Sequence, residues 1–280
     1  MALITWEDTL ACLEVREIGA DCYTGPNIPM AYHRVFGGQL LAQAIAVATA
    51  AGEGKSVKSL HAVFPAEGDL AHPVEYTVRR LRSGRSFGSF GLEAEQSERG
   101  SILSASLSLH ALEDGFSHQV DAPDVGGPEN AVAVDLSMIP WETRVVDGVD
   151  LESRDVGPPE YSFWMKTPPL SDGGAHHQGL LAHATDLTAI GTSLRPHSGI
   201  GESDAPDRIQ TAVTSHTLWF HRPLRVDDWL LIHQHSPVAA GARGFATGHV
   251  FTAAGQLVAS FAQESLLRLR DPMPERGHDS

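Results

Sequence analysis

In LLAQAIAVATAA (40–51) the apolar residues recur at 40, 41, 44, 45 and 48, the spacing of a buried helix face. Gly37 and Gly38 stand just before it and predict a close-packed N-terminus. Downstream the period shortens to two. HPVEYTVRRLRSG (72–84) alternates at Val74, Tyr76 and Val78, and RSFGSFGLEAEQ (85–96) and SILSASLSLHAL (101–112) follow with turn residues between them. The second half repeats the succession: LLAHA at 180–184, then HTLWFHRPL, DWLLIHQHSPVAA, ARGFATGHVFTAAG and QLVASFAQESLLRL. One helix followed by several hairpin-connected strands, met twice, predicts an α+β fold with a long helix packed on an antiparallel sheet in each copy.

The two copies share landmarks in the same order. LLAQA (40–44) pairs with LLAHA (180–184), GRSFGSF (84–90) with ARGFATG (242–248), and GSILSASLS (100–108) with GQLVASFAQ (255–263). The second copy is longer between its first two landmarks. The extra residues fall in 191–210, whose Gly, Ser, Pro and Asp content predicts a loop. The expected organisation is an N-terminal unit over 1–112, a Gly-, Pro- and Asp-rich connection over 113–160, a C-terminal unit over 161–270 and a frayed tail over 271–280.

Composition narrows the partners. The 280 residues carry 20 Lys and Arg against 35 Asp and Glu, a formal charge of −15. This disfavours nucleic acid, which is bound chiefly through Lys and Arg, and equally an anionic membrane surface. Cys12 and Cys22 can build neither a disulfide framework nor a zinc site. The longest mainly apolar run, 40–51, is too short to span a bilayer, and the acidic start MALITWEDTLACLEV does not resemble a secretory signal. A soluble, cytoplasmic protein is expected.

Several motifs invite chemistry. GRSFG (84–88) fits the G-x-S-x-G nucleophile elbow, but that motif needs a strand-to-helix turn, and the residues after Ser86 alternate like a strand. The histidine groupings His176-His177 with His183, and His233 with His235, lack the spacing or the companion ligands of a tetrahedral metal site, so neither metal nor cofactor is expected. Asp186 is different. The repeat sets it where the first copy has Ala46, so it is either a surface residue capped by Thr185 or Thr188, or a buried carboxylate with a purpose. Gln263, in FAQES, lies among small and apolar residues of a strand and is either bonded to backbone or aimed at a ligand.

Taken together, HRVFGGQLLAQAIAVA (33–48), SLHAVFPAEGD (59–69), LRSGRSFGS (81–89), LLAHATDL (180–187), LRPH (194–197), HTLWFHRPL (216–224), DDWLLI (227–232), ARGF (242–245) and LVASFAQESLLR (257–268) resemble the acyl-CoA thioesterase II family of double hotdog thioesterases. The resemblance implies two tandem hotdog units, assembly into a homo-oligomer, and an activity in fatty-acid and lipid metabolism: hydrolysis of acyl-CoA to free CoA and a carboxylic acid. It also implies that an Asp, a Gln and a Thr or Ser hold the hydrolytic water. The Asp falls on Asp186 and the Gln on Gln263.

The hydroxyl position, three before the His of HTLWFH, is Val213 here. Thr211, Thr214 and Ser215 flank it. On a regular strand Thr211 and Ser215 share the face of Val213, and Thr214 joins them only through a bulge. Thr211 is the candidate substitute. Otherwise Asp186 and Gln263 act alone, or activity is reduced. Binding polyanionic CoA to a chain of charge −15 demands a local basic cluster, for which Arg222 and Arg243 are the candidates in the second half and Arg82 and Arg85 in the first. Two other functions fit the same residues: an acyl-CoA-binding protein with weak or lost hydrolase activity, and a hotdog enoyl-CoA hydratase. The second lacks the expected His after Asp186, where position 191 is Gly.

Overall fold

In the computed structural model the N-terminal half runs α1 (Trp6–Cys12), β1 (Arg16–Gly19), β2 (Cys22–Gly25), α2 (Gly37–Ala51), β3 (Ser56–Val63), β4 (Val74–Ser83), β5 (Phe87–Gln96) and β6 (Gly100–His110). The C-terminal half runs β7 (Val132–Val134), β8 (Glu142–Val145), β9 (Glu160–Lys166), α3 (Gly174–Thr185), α4 (Ala189–Leu194), β10 (Ile209–Phe220), β11 (Leu230–Ala240), β12 (Arg243–Thr252) and β13 (Leu257–Leu269). Residues 4–270 are described, apart from 31, 137, 172 and 206. The tail expected at 271–280 lies outside the described residues.

The strands join in one sheet in the order β1-β2-β4-β5-β6-β3-β10-β13-β12-β11-β9-β8-β7. Outward from the central antiparallel β3–β10 pair, β6, β5, β4, β2 and β1 on one side correspond to β13, β12, β11, β9 and β8 on the other. The sequence repeat is therefore a repeat in space: its landmarks fall on α2 and α3, β5 and β12, β6 and β13. GRSFG is a hairpin turn. β4 ends at Ser83, β5 begins at Phe87, and the Gly84 N–H donates to the Phe87 carbonyl at 2.8 Å.

Two segments carry more structure than their composition suggests. The connection contains β7 and β8, and β8 pairs with β9. The 191–210 stretch, expected as loop, begins inside α4 and ends in β10, because Leu194, Ile200 and Ile209 bury one another beside Leu267. Within it Asp204 is buried and held by Arg154 at 2.8 Å and Arg208 at 3.0 Å.

Helix α2 is buried on almost every side, beyond the stripe its periodicity predicts. Gln39 and Gln43 are wholly inaccessible, which a side-chain amide tolerates only when hydrogen-bonded. Gln39 accepts from the Ile28 N–H at 2.9 Å, and Gln43 donates to the carbonyls of Cys12 and Pro26 while accepting from the Tyr76 hydroxyl. α2 packs directly on α3. A Cβ at Gly38 would stand 2.6 Å from the His183 carbonyl oxygen, and one at Gly179 would stand 3.4 Å from that of Ala42. Pairing 38 with 183 and 42 with 179 makes the helices antiparallel, so the N-terminus of α2 meets the C-terminus of α3. No described helix is long and apolar enough to cross a membrane.

Candidate active site

Asp186 is the C-cap residue of α3, directly after Thr185. A carboxylate there opposes the dipole of its own helix. The junction compensates by presenting the N-terminus of α2: a Cβ at Gly37 would lie 2.8 Å from Asp186 Oδ2, so the carboxylate occupies the room that any side chain at position 37 would need. The first turn of a helix leaves N–H groups without intrahelical acceptors. Here the N–H of Gly38 faces the acid. Burial dominates its ionisation and pushes the carboxyl up to about 7, while the Gly38 N–H and the Arg34 charge pull it down. Asp186 is 2 % exposed, yet neither oxygen closes a full hydrogen bond to the described residues. Two unpaired buried oxygens on a carboxyl that titrates near neutrality mark a site prepared for water or a ligand.

Asp186 borders a cavity of ≈ 280 Å³ whose walls include Arg34, Phe36, Gly37, Phe64, Val213 and Thr214. A larger depression of ≈ 540 Å³ is lined by Val134, Ile139, Trp141 and Lys166, and its acids, Asp135 and Glu142, are exposed rather than buried. Arg34 is fixed by three acceptors, Glu67, the Tyr32 hydroxyl and the Thr211 carbonyl. The loop after α3 is fixed too, since Gln234 donates to the hydroxyls of Thr188 at 2.8 Å and Thr192 at 2.6 Å.

Gln263, on β13, is 1 % exposed and faces inward, bonded to side chains rather than backbone. Its Oε1 lies 2.9 Å from His216 Nδ1, and its Nε2 donates to Ser265 Oγ at 3.1 Å. His216 Nε2 lies 3.2 Å from Thr185 Oγ1. Burial pushes His216 down to about 4, so near pH 7 it is a neutral spacer between the two strands and α3. No hydrogen bond joins Asp186 to Gln263 among the described residues; the link between them runs through Thr185 and His216.

The hydroxyl question turns on a bulge. β10 pairs Val213 with Ser265 and Ser215 with Glu264, leaving Thr214 as the extra residue. That residue flips the faces: Val213 and His216, three apart, both point inward, and Ser215 is carried outward. The regular-strand expectation that Ser215 shares the face of Val213 is thereby corrected. Thr214 borders the cavity, and its hydroxyl donates to Glu264 at both the backbone carbonyl (3.0 Å) and Oε1 (3.2 Å). Thr211 pairs with Leu267 and is not among the residues bordering the cavity, where its carbonyl rather than its hydroxyl contributes, through Arg34.

The candidate arginines are separated. Arg243 opens β12 one residue from Gly244, which pairs with Ser265, and its Nε lies 3.2 Å from Glu264 Oε2. Arg222 lies in a different depression with Lys58, His110 and His221, past the far end of β10, whose Phe220 is roughly 23 Å along the strand from Val213 at about 3.3 Å per residue. It is not brought to Asp186. Nor are Arg82 and Arg85 among the residues bordering the cavity. Sequence reasoning missed Arg34, His216 and Ser265. The first lies more than a hundred positions from Asp186 and Thr211, whereas the last two could have been found at strand spacing around the motifs already singled out. Among the described residues no group of three or more His, Cys, Asp or Glu side chains could hold a metal ion.

Comparison with known proteins agrees with this architecture. A profile of the acyl-CoA thioesterase N-terminal domain matches residues 26–110, and one of the acyl-CoA thioesterase C-terminal domain matches 116–267. Acyl-CoA thioesterase 2 of Haemophilus influenzae is 31% identical over 281 residues, covering 92% of this chain and 96% of that protein. Acyl-coenzyme A thioesterase 8 of mouse is 28% identical over 292 residues, covering 94% and 89%. The solved structure of an acyl-CoA thioesterase II from Mycobacterium marinum superposes with a TM-score of 0.78 at 28% identity, over 95% of this chain and 99% of that one. With both halves matched in order and the double hotdog sheet in place, the chain belongs to the acyl-CoA thioesterase family.

Proposed function

We propose that this chain hydrolyses acyl-CoA thioesters to free CoA and a carboxylic acid, using a water oriented by Asp186 and Gln263. The observation that carries this reading is the buried, unpaired Asp186 carboxylate facing the N-terminus of α2 at the edge of a cavity. A carboxylate near pKa 7 is a competent general base at neutral pH, and such assistance is worth about 10²–10⁴-fold. Asp186 takes a proton from water, and the resulting oxygen nucleophile attacks the thioester carbonyl. The Gly37 N–H, at the start of α2, stabilises the oxyanion, since the next N–H groups serve Asp186 and the Phe36 carbonyl. Collapse breaks the C–S bond, and the departing thiolate is protonated by solvent or by the proton held on Asp186. Gln263 uses one amide N–H on Ser265 and has a second for the water.

The phosphates of CoA sit far from the reacting carbonyl, at the end of the pantetheine arm, so the cation that meets them need not border the cavity. Arg243 lines a separate depression with Leu194 and Ile200, but its partner Glu264 accepts from the cavity-bordering Thr214, so it suits that role better than Arg222. The protein is expected to act as a homo-oligomer in the cytoplasm. Following thiol release from a panel of acyl-CoAs with a disulfide chromogen tests the reading. Stoichiometric release of CoA and acid supports it. Calorimetric binding of acyl-CoA without thiol release would instead make the chain a binding protein that lost its chemistry with the hydroxyl at 213.

A further inference from the structure

Val213 leaves the family-like hydroxyl position filled by two methyl groups, and the amide of Gln263 finds its support elsewhere. Directly across the ladder from Val213 stands Ser265. Its burial and that of Gln263, 2 % and 1 % exposed, put both side chains on the inward face of β13, two residues apart as strand geometry requires. The Gln263 Nε2 donates to Ser265 Oγ at 3.1 Å. The other hydroxyls near Val213 are committed or misplaced. Thr214 is bonded to Glu264, Ser215 is turned outward by the bulge, and Thr211 pairs with Leu267, four positions along β13 from Gln263. The third strand of the ladder offers no competitor, because the residue paired with Ser265 on β12 is Gly244.

We infer that Ser265 is a positioning residue of the hydrolytic site: from β13, across the ladder from Val213, it fixes the amide of Gln263. Gln263 is then held at both ends, by His216 on its oxygen and by Ser265 on its nitrogen, with a single rotamer and one amide N–H left to direct. The Ser265 proton itself has no protein acceptor among the described residues, so the hydroxyl accepts from Gln263 without giving up a competing bond. Ser265 acts through Gln263 and touches no reacting atom.

The inference rests on the proposed thioesterase activity, and the experiment separates the two. Steady-state thiol release is measured for the wild type, Ser265→Ala, Ser265→Thr, and Ser265→Ala combined with Val213→Thr. Losing one ordering hydrogen bond predicts that Ser265→Ala lowers kcat about tenfold with KM unchanged. Ser265→Thr keeps the hydroxyl and is expected to retain activity. Facing Cβ atoms across a ladder are about 5 Å apart, so Val213→Thr in the Ser265→Ala background returns a hydroxyl to the reach of Gln263 and restores kcat to within about twofold of wild type. Wild-type kcat in Ser265→Ala overturns the inference and leaves the thioesterase reading intact. Loss in Ser265→Ala that Val213→Thr fails to restore overturns it as well, because the serine would then be a packing residue only. A wild type that releases no thiol from any acyl-CoA overturns both.

Discussion

Replacing Asp186 by Asn should make the protein more stable while disabling it, and the gain should depend on pH. Burial raises the carboxyl from 3.8 to about 7, a shift of about 3 units, each worth 1.36 kcal/mol of differential interaction. Between about pH 4 and pH 7 the native state keeps a proton that the unfolded chain has released. The Asp186 contribution to wild-type stability therefore falls as pH rises through that window, by up to about 4 kcal/mol, and is level above it. Asn copies the neutral acid in shape and does not titrate. The variant should match the wild type near pH 4 and exceed it by up to about 4 kcal/mol at pH 8, a Tm difference of roughly 8 °C for a chain of this length. Glu202, also buried and raised to about 8, titrates in both proteins and cancels in the difference. The assay is thermal unfolding across pH 4–8 beside thiol release, where turnover should fall about 10²–10⁴-fold. A Tm difference that ignores pH, or an Asn variant less stable than wild type at pH 8, would show that Asp186 is not a desolvated acid. Wild-type turnover in the variant would remove it from the mechanism.

Other outcomes follow from the same geometry. Gly37→Ala places a methyl 2.8 Å from Asp186 Oδ2, so kcat should drop at least tenfold with the fold retained on circular dichroism; unaltered kinetics would mean the carboxylate can move away freely. Arg34→Met removes a charge that lowers the Asp186 pKa, and the acidic limb of the kcat/KM profile should move to higher pH, whereas an unmoved limb would uncouple the two residues. Arg243→Ala should raise KM for acyl-CoA several-fold while Arg222→Ala leaves it alone; the reverse pattern would relocate the CoA phosphates to the depression at Lys58.

Much of this was legible in the chain because it depends on local periods. The helix at 40–51, the hairpins around GRSFG and ARGFATG, and the duplication are written in spacing alone, and the repeat also exposed Asp186 by contrast with Ala46. What stayed hidden depends on contacts between distant segments. The meeting of Gly37 with Asp186 follows from the antiparallel packing of α2 on α3, which no local pattern encodes. The bulge at Thr214 adds one residue to one strand and reverses the face of Ser215, so parity counting from Val213 fails at that step. The Gly and Ser content of α4 and the segment after it predicts a loop, but its apolar residues bury it as a helix against Ile209 and Leu267.

The most direct test of a water activated by Asp186 is a single turnover of excess enzyme with acyl-CoA in H₂¹⁸O, followed by mass spectrometry of the released acid and of the peptide containing Asp186. One ¹⁸O in the acid and none in the peptide is the predicted result. Unlabelled acid from the first turnover, with ¹⁸O appearing in the Asp186 side chain, would contradict it and make the carboxylate a nucleophile instead.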